Sequence, residues 1–433
     1  MFWFDYNWQI QDLLNQSWYQ LNFLMLIVLV VLGYLSFKKS IYACALTIIL
    51  LPTYLCRSQI WFVPITYLEL CLLVTFFGWF IQAKPYKLQA TSYKLYLLPI
   101  LLFIIAATIS IFIAPNKITA AGLWKAYFIE PILFFLVLIN VVKSDQDKKI
   151  ILWALGISSL LISFLAIYQK FTAFGIAQPI WIAPSRRRVT AIFSSPNAVG
   201  LYLGPIITIY LGWLIAEFKN WLGAIGKLLI LIPAIIAIIF TVSQGTWLGL
   251  IAAIIFLISF AFLPQLKFQL KINKLQLLLM LLIIIISLLV LPIAADKLLN
   301  LTSQSSQNRI ILWQMSEKYL LSSPKNFIFG SGILGFAQIQ NQLRNPLKME
   351  PLLYAHNIFF NFWLELGLLG LSSFIILIIQ FFKKGLSEVN KENRWLKLGL
   401  MAAMITILVH GFIDVPYFKN DLAVLFWLII ALL

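Results

Sequence analysis

Apolar residues run in long blocks along this chain, and polar residues gather in the short gaps between them. A helix needs about 20 apolar residues to cross a bilayer. By that measure thirteen segments are predicted spans: 21–37, 41–55, 60–82, 96–113, 120–142, 150–168, 198–217, 226–242, 246–263, 276–295, 356–381, 398–414 and 420–433. Several are short, so twelve or fourteen fit the pattern too. Residues 1–20 read as interfacial, because Trp3, Phe4, Tyr6, Trp8, Trp18 and Tyr19 suit the headgroup layer. That segment holds Asp5 and Asp12 and no Lys or Arg, so no cleavable signal peptide is expected. The predicted fold class is all-α, a polytopic transmembrane helix bundle of about 12–14 spans. It forms a single integral membrane domain over 1–433, with one large structured extracytoplasmic loop and no second soluble domain.

Composition removes the alternatives. The 433 residues are 62% hydrophobic and 11% charged, with mean hydropathy +0.95. Soluble chains are closer to half apolar and a quarter charged, so a water-soluble enzyme and a disordered chain are both excluded. The net charge of +17 on a soluble protein would suggest nucleic acid. Here it divides between two sides of a membrane, so lipid is the expected partner and nucleic acid is not. Eighteen basic residues fall in one set of loops: Lys38/Lys39, Lys84/Lys87/Lys94, Lys143/Lys148/Lys149, Lys219/Lys227, Lys267/Lys271/Lys274 and Lys383/Lys384/Lys391/Arg394/Lys397. That side is predicted to be cytoplasmic. The alternate short turns hold Arg57, Lys117 and Lys419, besides the helix-borne Lys125. The N-terminus is therefore expected outside and the C-terminus inside.

Two outer segments carry more positive charge than this rule gives them. The basic outer loop 169–197 has Lys170, Arg186, Arg187 and Arg188 and no acid. The large outer loop 296–355 has Lys297, Arg309, Lys318, Lys325, Arg344 and Lys348 against Asp296, Glu317 and Glu350. It shows a helical stretch at 307–322 and turn signals at Ser323-Pro324, Gly330-Ser331-Gly332 and Asn345-Pro346, so it reads as a cap inserted between spans. Outer cations suit an anionic ligand. They equally suit solvent or lipid headgroups.

Few residues are left to do chemistry. There is no H-E-x-x-H, no D-x-D in an outer loop, no G-x-S-x-G and no Walker-type loop. The three cysteines, Cys44, Cys56 and Cys71, lack metal spacing and read as small apolar residues in helices. No metal and no cofactor are therefore expected. Only two histidines occur. His356 stands where the long outer loop enters the next span, at the depth at which a lipid-linked substrate presents its headgroup. An imidazole there could orient or deprotonate a hydroxyl, or simply begin a helix. His410 lies inside a span and reads as a partner of a neighbouring helix or of Asp414. Arg309 and Trp313, four apart, share a helical face, where a guanidinium could grip phosphate beside an indole or merely stack on it. Arg186, Arg187 and Arg188 favour pyrophosphate or anionic lipid just before the chain re-enters the membrane. Within the spans, Glu130 is five residues from Lys125, only loosely within reach. Glu365 lies about 13.5 Å along a helix from His356, too far to act on the same atom.

Together these residues resemble the O-antigen ligase and O-antigen polymerase family of bacterial membrane glycosyltransferases, over roughly 185–433. The Arg-x-x-x-Trp element is matched by Arg309 to Trp313, and Phe329-Gly330-Ser331-Gly332 resembles the turn after it. The family's His-x10-Gly pattern is met by His356 and Gly367, with Asn357 and Glu365-Leu366-Gly367 in place. His410-Gly411-Phe412-Ile413-Asp414-Val415-Pro416, followed by Phe426-Trp427, is similar to its last helices. Arg188 with Phe193, Pro196 and Asn197 is similar to its segment before a middle span. One departure stands out: where the family often has Ser-Arg-Gly at the outer end of a middle helix, this chain has Ser243-Gln244-Gly245.

The resemblance implies a location in the bacterial inner (cytoplasmic) membrane, with the active site on the extracytoplasmic side. It implies transfer of a glycan from an undecaprenyl-pyrophosphate carrier to an acceptor hydroxyl, on a growing glycan or a lipid core. Arg309 would stabilise the leaving pyrophosphate and His356 would act on the acceptor hydroxyl. Arg188, Arg187, Arg186, Trp313, Gln244 and Asn357 would bind substrate, without a metal. A polymerase of the same family remains the alternative, and a flippase for the same lipid-linked glycan is an alternative of another class. The sequence leaves the oligomeric state open.

Overall fold

The computed structural model of the chain describes residues 18–60, 63–82, 90–218, 220–262, 304–343, 352–389 and 393–433. Seven helical stretches are long and apolar enough to cross a membrane, and five shorter apolar helices accompany them. The protein is a multi-pass all-α membrane bundle. Every predicted span has an apolar helix except 276–295, which lies outside the described residues.

The chain begins with α1 (Trp18–Lys38) and α2 (Ser40–Ile49). Here the even spacing of predicted spans breaks down. The stretch 41–55 is a short helix followed by a 3-10 turn at Leu51–Leu55, with Pro52 in its first turn. The start of the 60–82 segment is extended: β1 (Arg57–Ile60) pairs antiparallel with β2 (Val63–Thr66), with Arg57 opposite Thr66. β-branched Ile60, Val63, Ile65 and Thr66 favour a strand, and Pro64 disfavours helix at the residue before it. Helix resumes at α3 (Tyr67–Gln82) and α4 (Ala90–Ile113).

α5 (Lys117–Trp124) runs through a π turn at Lys125–Ile129 into α6 (Glu130–Val141). That turn changes the Lys125–Glu130 geometry expected from an ordinary helix. The wider π winding brings residues five apart onto one face, and Lys125 Nζ lies 3.7 Å from Glu130 Oε1. Its nearer partner comes from another helix: Glu69 Oε2 at 2.6 Å. Asn420 Nδ2 donates to the other Glu69 oxygen at 2.9 Å, so the last helix is tied into the same buried group.

α7 (Asp145–Thr172) opens with a capping box in which Ser144 and Asp147 satisfy each other's backbone N–H. It ends at Ala173 in the left-handed region. α8 (Pro196–Ala216) is the buried axis of the bundle, enclosed along its whole length. It is followed by α9 (Trp221–Thr241) and α10 (Gln244–Phe262). Three helices fill the described part of the long loop: α11 (Gln304–Leu320), α12 (Pro324–Phe329) and α13 (Gly335–Leu343). The chain closes with α14 (Ile358–Glu388), α15 (Arg394–Gly411) and α16 (Asn420–Leu432). α8 and α15 cross where Gly212 meets Gly399, and a Cβ on Gly212 would collide with the facing backbone. Small residues at such a crossing let two helices approach closely.

Polar loops sort to two ends. One end holds Glu217 bridged to Lys149 (2.8 Å) and Lys227 (3.0 Å), and Lys397 bridged to Glu388 (3.2 Å). These belong to the loops whose basic residues the sequence groups together. The other end holds the 173–195 loop, the α9–α10 junction, the three helices of the long loop, and the α15–α16 connection.

α11, α12 and α13 close over α14 through an apolar cluster of their own, centred on Leu312, Leu320, Phe336, Ala355 and Leu364. They seat on a break in α14. Gly367 has φ 69° and ψ −173° inside the helix, a conformation essentially confined to glycine. The break frees the Leu364 carbonyl, which accepts from Ser331 N (2.6 Å) and Ser331 Oγ (3.1 Å). Trp363 Nε1 donates to the Phe327 carbonyl at 2.7 Å.

Candidate active site

The sequence-predicted residues do not all come together. Arg188, Arg309, Trp313, Gln244, His356 and Asn357 gather at one end of the bundle. Arg186 is exposed, and Arg187 turns away to the end of α7. There Arg187 donates to the carbonyls of Ile182 (2.9 Å), Lys170 (2.9 Å) and Phe171 (3.1 Å). Lys170 Nζ returns a bond to the Arg187 carbonyl at 3.0 Å. This guanidinium finishes a helix C-terminus, where a cation suits the exposed carbonyls.

Arg188 points inward. Its Nε donates to the Thr241 carbonyl at 2.7 Å, and a terminal nitrogen reaches Val242 O (3.3 Å) and Asn197 Oδ1 (3.2 Å). The α9–α10 junction offers those carbonyls because Val242 adopts φ 52° and stops the helix. Asn197, in the first turn of α8, then donates to Asp414 Oδ2 at 3.4 Å. Asn197 thus links a guanidinium from one loop to a carboxylate from another.

Asp414 lies on the buried turn after α15, and the other groups converge on that turn. Arg309 Nε donates to the Ile413 carbonyl at 3.0 Å. Asn357 Nδ2 donates to Phe412 O at 3.1 Å, while its Oδ1 caps α14 by accepting from Phe359 N and Phe360 N. His356 Nδ1 stands 3.4 Å from Asp414 Oδ1, an ion-pair separation rather than a formed hydrogen bond. Trp313 Nε1 approaches the His356 carbonyl at 3.4 Å. His356 itself has φ 49°, a left-handed conformation that costs a non-glycine residue about 1 kcal/mol or more. The Asn357 cap and the Trp313 contact hold it there. The imidazole side chain is 26% exposed, whereas that of Asp414 is 8% exposed.

The electrostatics follow from this crowding. Burial pushes Asp414 up, but His356, His410 and Arg309 outweigh it and hold the carboxyl well below the usual range. Burial and the neighbouring Arg309 charge push Arg188 down to about 10. Burial likewise lowers Arg309, and Asp414 opposes that shift. Two guanidinium groups that repel each other around one carboxylate form a place where further negative charge is welcome. Among the described residues, their remaining N–H groups have no protein acceptor: one terminal nitrogen of Arg188 and both of Arg309.

The sequence puts His410 in a span, as a partner of a neighbouring helix or of Asp414, and gives neither residue a role in the site. His410 is buried against Gly245, where a Cβ would overlap the imidazole, and it interacts electrostatically with Asp414 and Arg309. Gln244 begins α10 at this same contact. The available signal was the spacing: Asp414 follows His410 by four, at the end of a helix. Asn197 lies in the family-like segment with Arg188, yet its bridging role needs the fold. Glu365 is buried lower in α14, beside Asn361, and does not reach the site.

A family model described as O-antigen ligase matches residues 229–375. The match contains Gln244, Arg309, Trp313, His356, Asn357 and the break at Gly367. Arg188, His410 and Asp414 lie outside it. No curated protein matches the chain.

Proposed function

From the match of residues 229–375 to a family model described as O-antigen ligase, we propose that this chain performs ligase- or polymerase-type glycan transfer, moving a glycan from an undecaprenyl-pyrophosphate carrier to an acceptor hydroxyl on the outer face of the bacterial inner membrane. The observation that carries this reading is the meeting of Arg188, Arg309 and His356 around Asp414, at the end opposite the lysine-rich loops. The positive-inside rule supports an outer site, because it assigns lysine-rich loops to the cytoplasm.

The chemistry follows from the free valences. The N–H groups of Arg309 and Arg188 that have no acceptor among the described residues receive the pyrophosphate oxygens of the donor. His356 turns Nδ1 toward Asp414, which leaves Nε2 for the acceptor hydroxyl. As the acceptor oxygen bonds to the anomeric carbon, its proton passes to Nε2. The sugar–oxygen bond breaks and its electron pair stays on the pyrophosphate, where the two guanidinium groups stabilise the developing charge. Asp414 stabilises the imidazolium that results. Arg188 sits at the Thr241 and Val242 carbonyls, two residues before Gln244, so its charge serves where the family often has an arginine. Trp313 and Asn357 keep the His356 backbone in place. Arg186, exposed on the 173–195 loop, attracts the donor, and Arg187 supports the same loop.

The test uses purified protein in lipid vesicles with a lipid-pyrophosphate glycan and an acceptor. The expected result is release of free carrier pyrophosphate with the glycan joined to the acceptor, in the presence of a metal chelator. Movement of intact donor across the membrane without cleavage would overturn the reading in favour of a flippase. Loss of all transfer on chelation would overturn the metal-free part. A lipid core offered beside a free glycan separates ligase from polymerase.

A further inference from the structure

A second polar concavity lies at the other end of the bundle, away from the glycan-transfer site. A cavity of about 350 Å³ opens where the start of α7, the end of α14, the start of α15 and the end of α16 meet. Small-molecule sites begin at roughly 300 Å³. Four charged side chains line it: Asp145, Lys148, Glu388 and Lys397. Asn393 adds an amide, and the apolar part of the wall comes from Leu396, Leu400 and Leu432.

The charges are not simply paired off. Lys397 is buried and bonds to the Glu388 carboxylate (3.2 Å) and the Glu388 carbonyl (3.4 Å). Asp145 Oδ2 accepts from Asn393 Nδ2 at 2.6 Å, a neutral partner. Asp145 and Lys148 are three apart on α7, a spacing at which helical side chains meet. Yet Lys148 Nζ forms no hydrogen bond or ion pair among the described residues, though it stands within the fields of Lys397, Asp145 and Glu388. The cavity therefore presents two ammonium groups and two carboxylates around one space, above a leucine wall, at the end of membrane-spanning helices. A simple anion would meet the carboxylates there, and a simple cation would meet the lysines.

We propose that this cavity binds the headgroup of a phospholipid that carries both a phosphodiester and a primary ammonium. The phosphodiester lies on Lys148 and Lys397 as a charge-assisted contact. The ammonium donates to Asp145 and Glu388, and the glycerol and first acyl carbons lie on Leu396, Leu400 and Leu432. Basic pockets between helices at a membrane face are established lipid-headgroup sites. The carboxylates make this one selective. A glycerol headgroup has no cation for them, and a quaternary choline has no N–H to donate.

The experiment is native mass spectrometry of the intact chain in detergent, with phosphatidylethanolamine, phosphatidylglycerol or phosphatidylcholine added in turn. One phosphatidylethanolamine is expected to stay bound at activation energies that strip the other two lipids. Lys148→Ala should weaken its retention at least tenfold, and Lys148→Arg, which keeps the cation, should restore it. Water-soluble glycerophosphoethanolamine should compete poorly, because it has no acyl chains for the leucine wall. Equal retention of the three lipids, wild-type retention by Lys148→Ala, or competition by the free headgroup as strong as by the lipid would each overturn the proposal.

Discussion

Asp414 receives contacts from three separate parts of the chain. Asn197 and His356 face its two oxygens, and Arg309 holds the carbonyl beside it. Its carboxyl is depressed, so its contribution to stability is present above the unfolded value of about 3.9 and is lost as pH falls through the lower folded value. Asp414→Asn is therefore expected to lose on the order of 3 kcal/mol near neutral pH, as when a buried pair loses one partner. Denaturant unfolding should show that gap narrowing below about pH 4. A gap that stays constant down to about pH 3 would contradict the role given to this carboxylate. The sequence marked Arg309, His356 and Arg188 because polar groups stand out against an apolar chain. The run of charge alone does not separate Arg188 from Arg187 and Arg186; only the resemblance carried by Arg188, Phe193, Pro196 and Asn197 singles it out. Three adjacent arginines look alike until the tight turn at Pro184–Arg186 sends one to solvent, one to a helix end and one inward.

At the scale of the element, the break in α14 shows why a glycine stands eleven residues after His356. Gly367 leaves the helix just where Leu364 O must turn to meet Ser331, and Gly330, with φ 69°, comes against the same backbone. A Cβ on Gly367 would run into the Ile328 carbonyl, and the conformation itself costs other residues about 1–3 kcal/mol. Gly367→Ala is expected to insert normally but to loosen the helices over α14. Limited proteolysis should cut within 324–343 faster than in wild type, with glycan transfer reduced about tenfold or more. Unchanged cleavage would show that these helices do not depend on the break. The long apolar helices were legible from run length alone. The hairpin at 57–66 and the π turn at 125–129 were not, because each depends on packing: an apolar run of strand length is indistinguishable from a helix segment by pattern. The π turn gives no sequence signal beyond the odd spacing of Lys125 and Glu130.

For the whole molecule, the separation of charge was legible and its consequence was not. Counting Lys and Arg by loop sorted the chain into two sides, and the ion pairs of Glu217 and Glu388 gather on one of them. What the count could not give is that loops more than 200 residues apart in sequence close on one turn, as Asn197 does on Asp414. The central claim is that guanidinium groups and one imidazole on the outer side act together on a pyrophosphate-linked glycan. Its most direct measurement is the transfer rate of Arg309→Ala and His356→Ala protein, each correctly inserted in vesicles and saturated with donor. Loss of a cation that stabilises the leaving group is expected to cost Arg309→Ala about 10²–10³ in rate, and loss of the base should cost His356→Ala a similar factor. Transfer at the wild-type rate by either variant would contradict the claim.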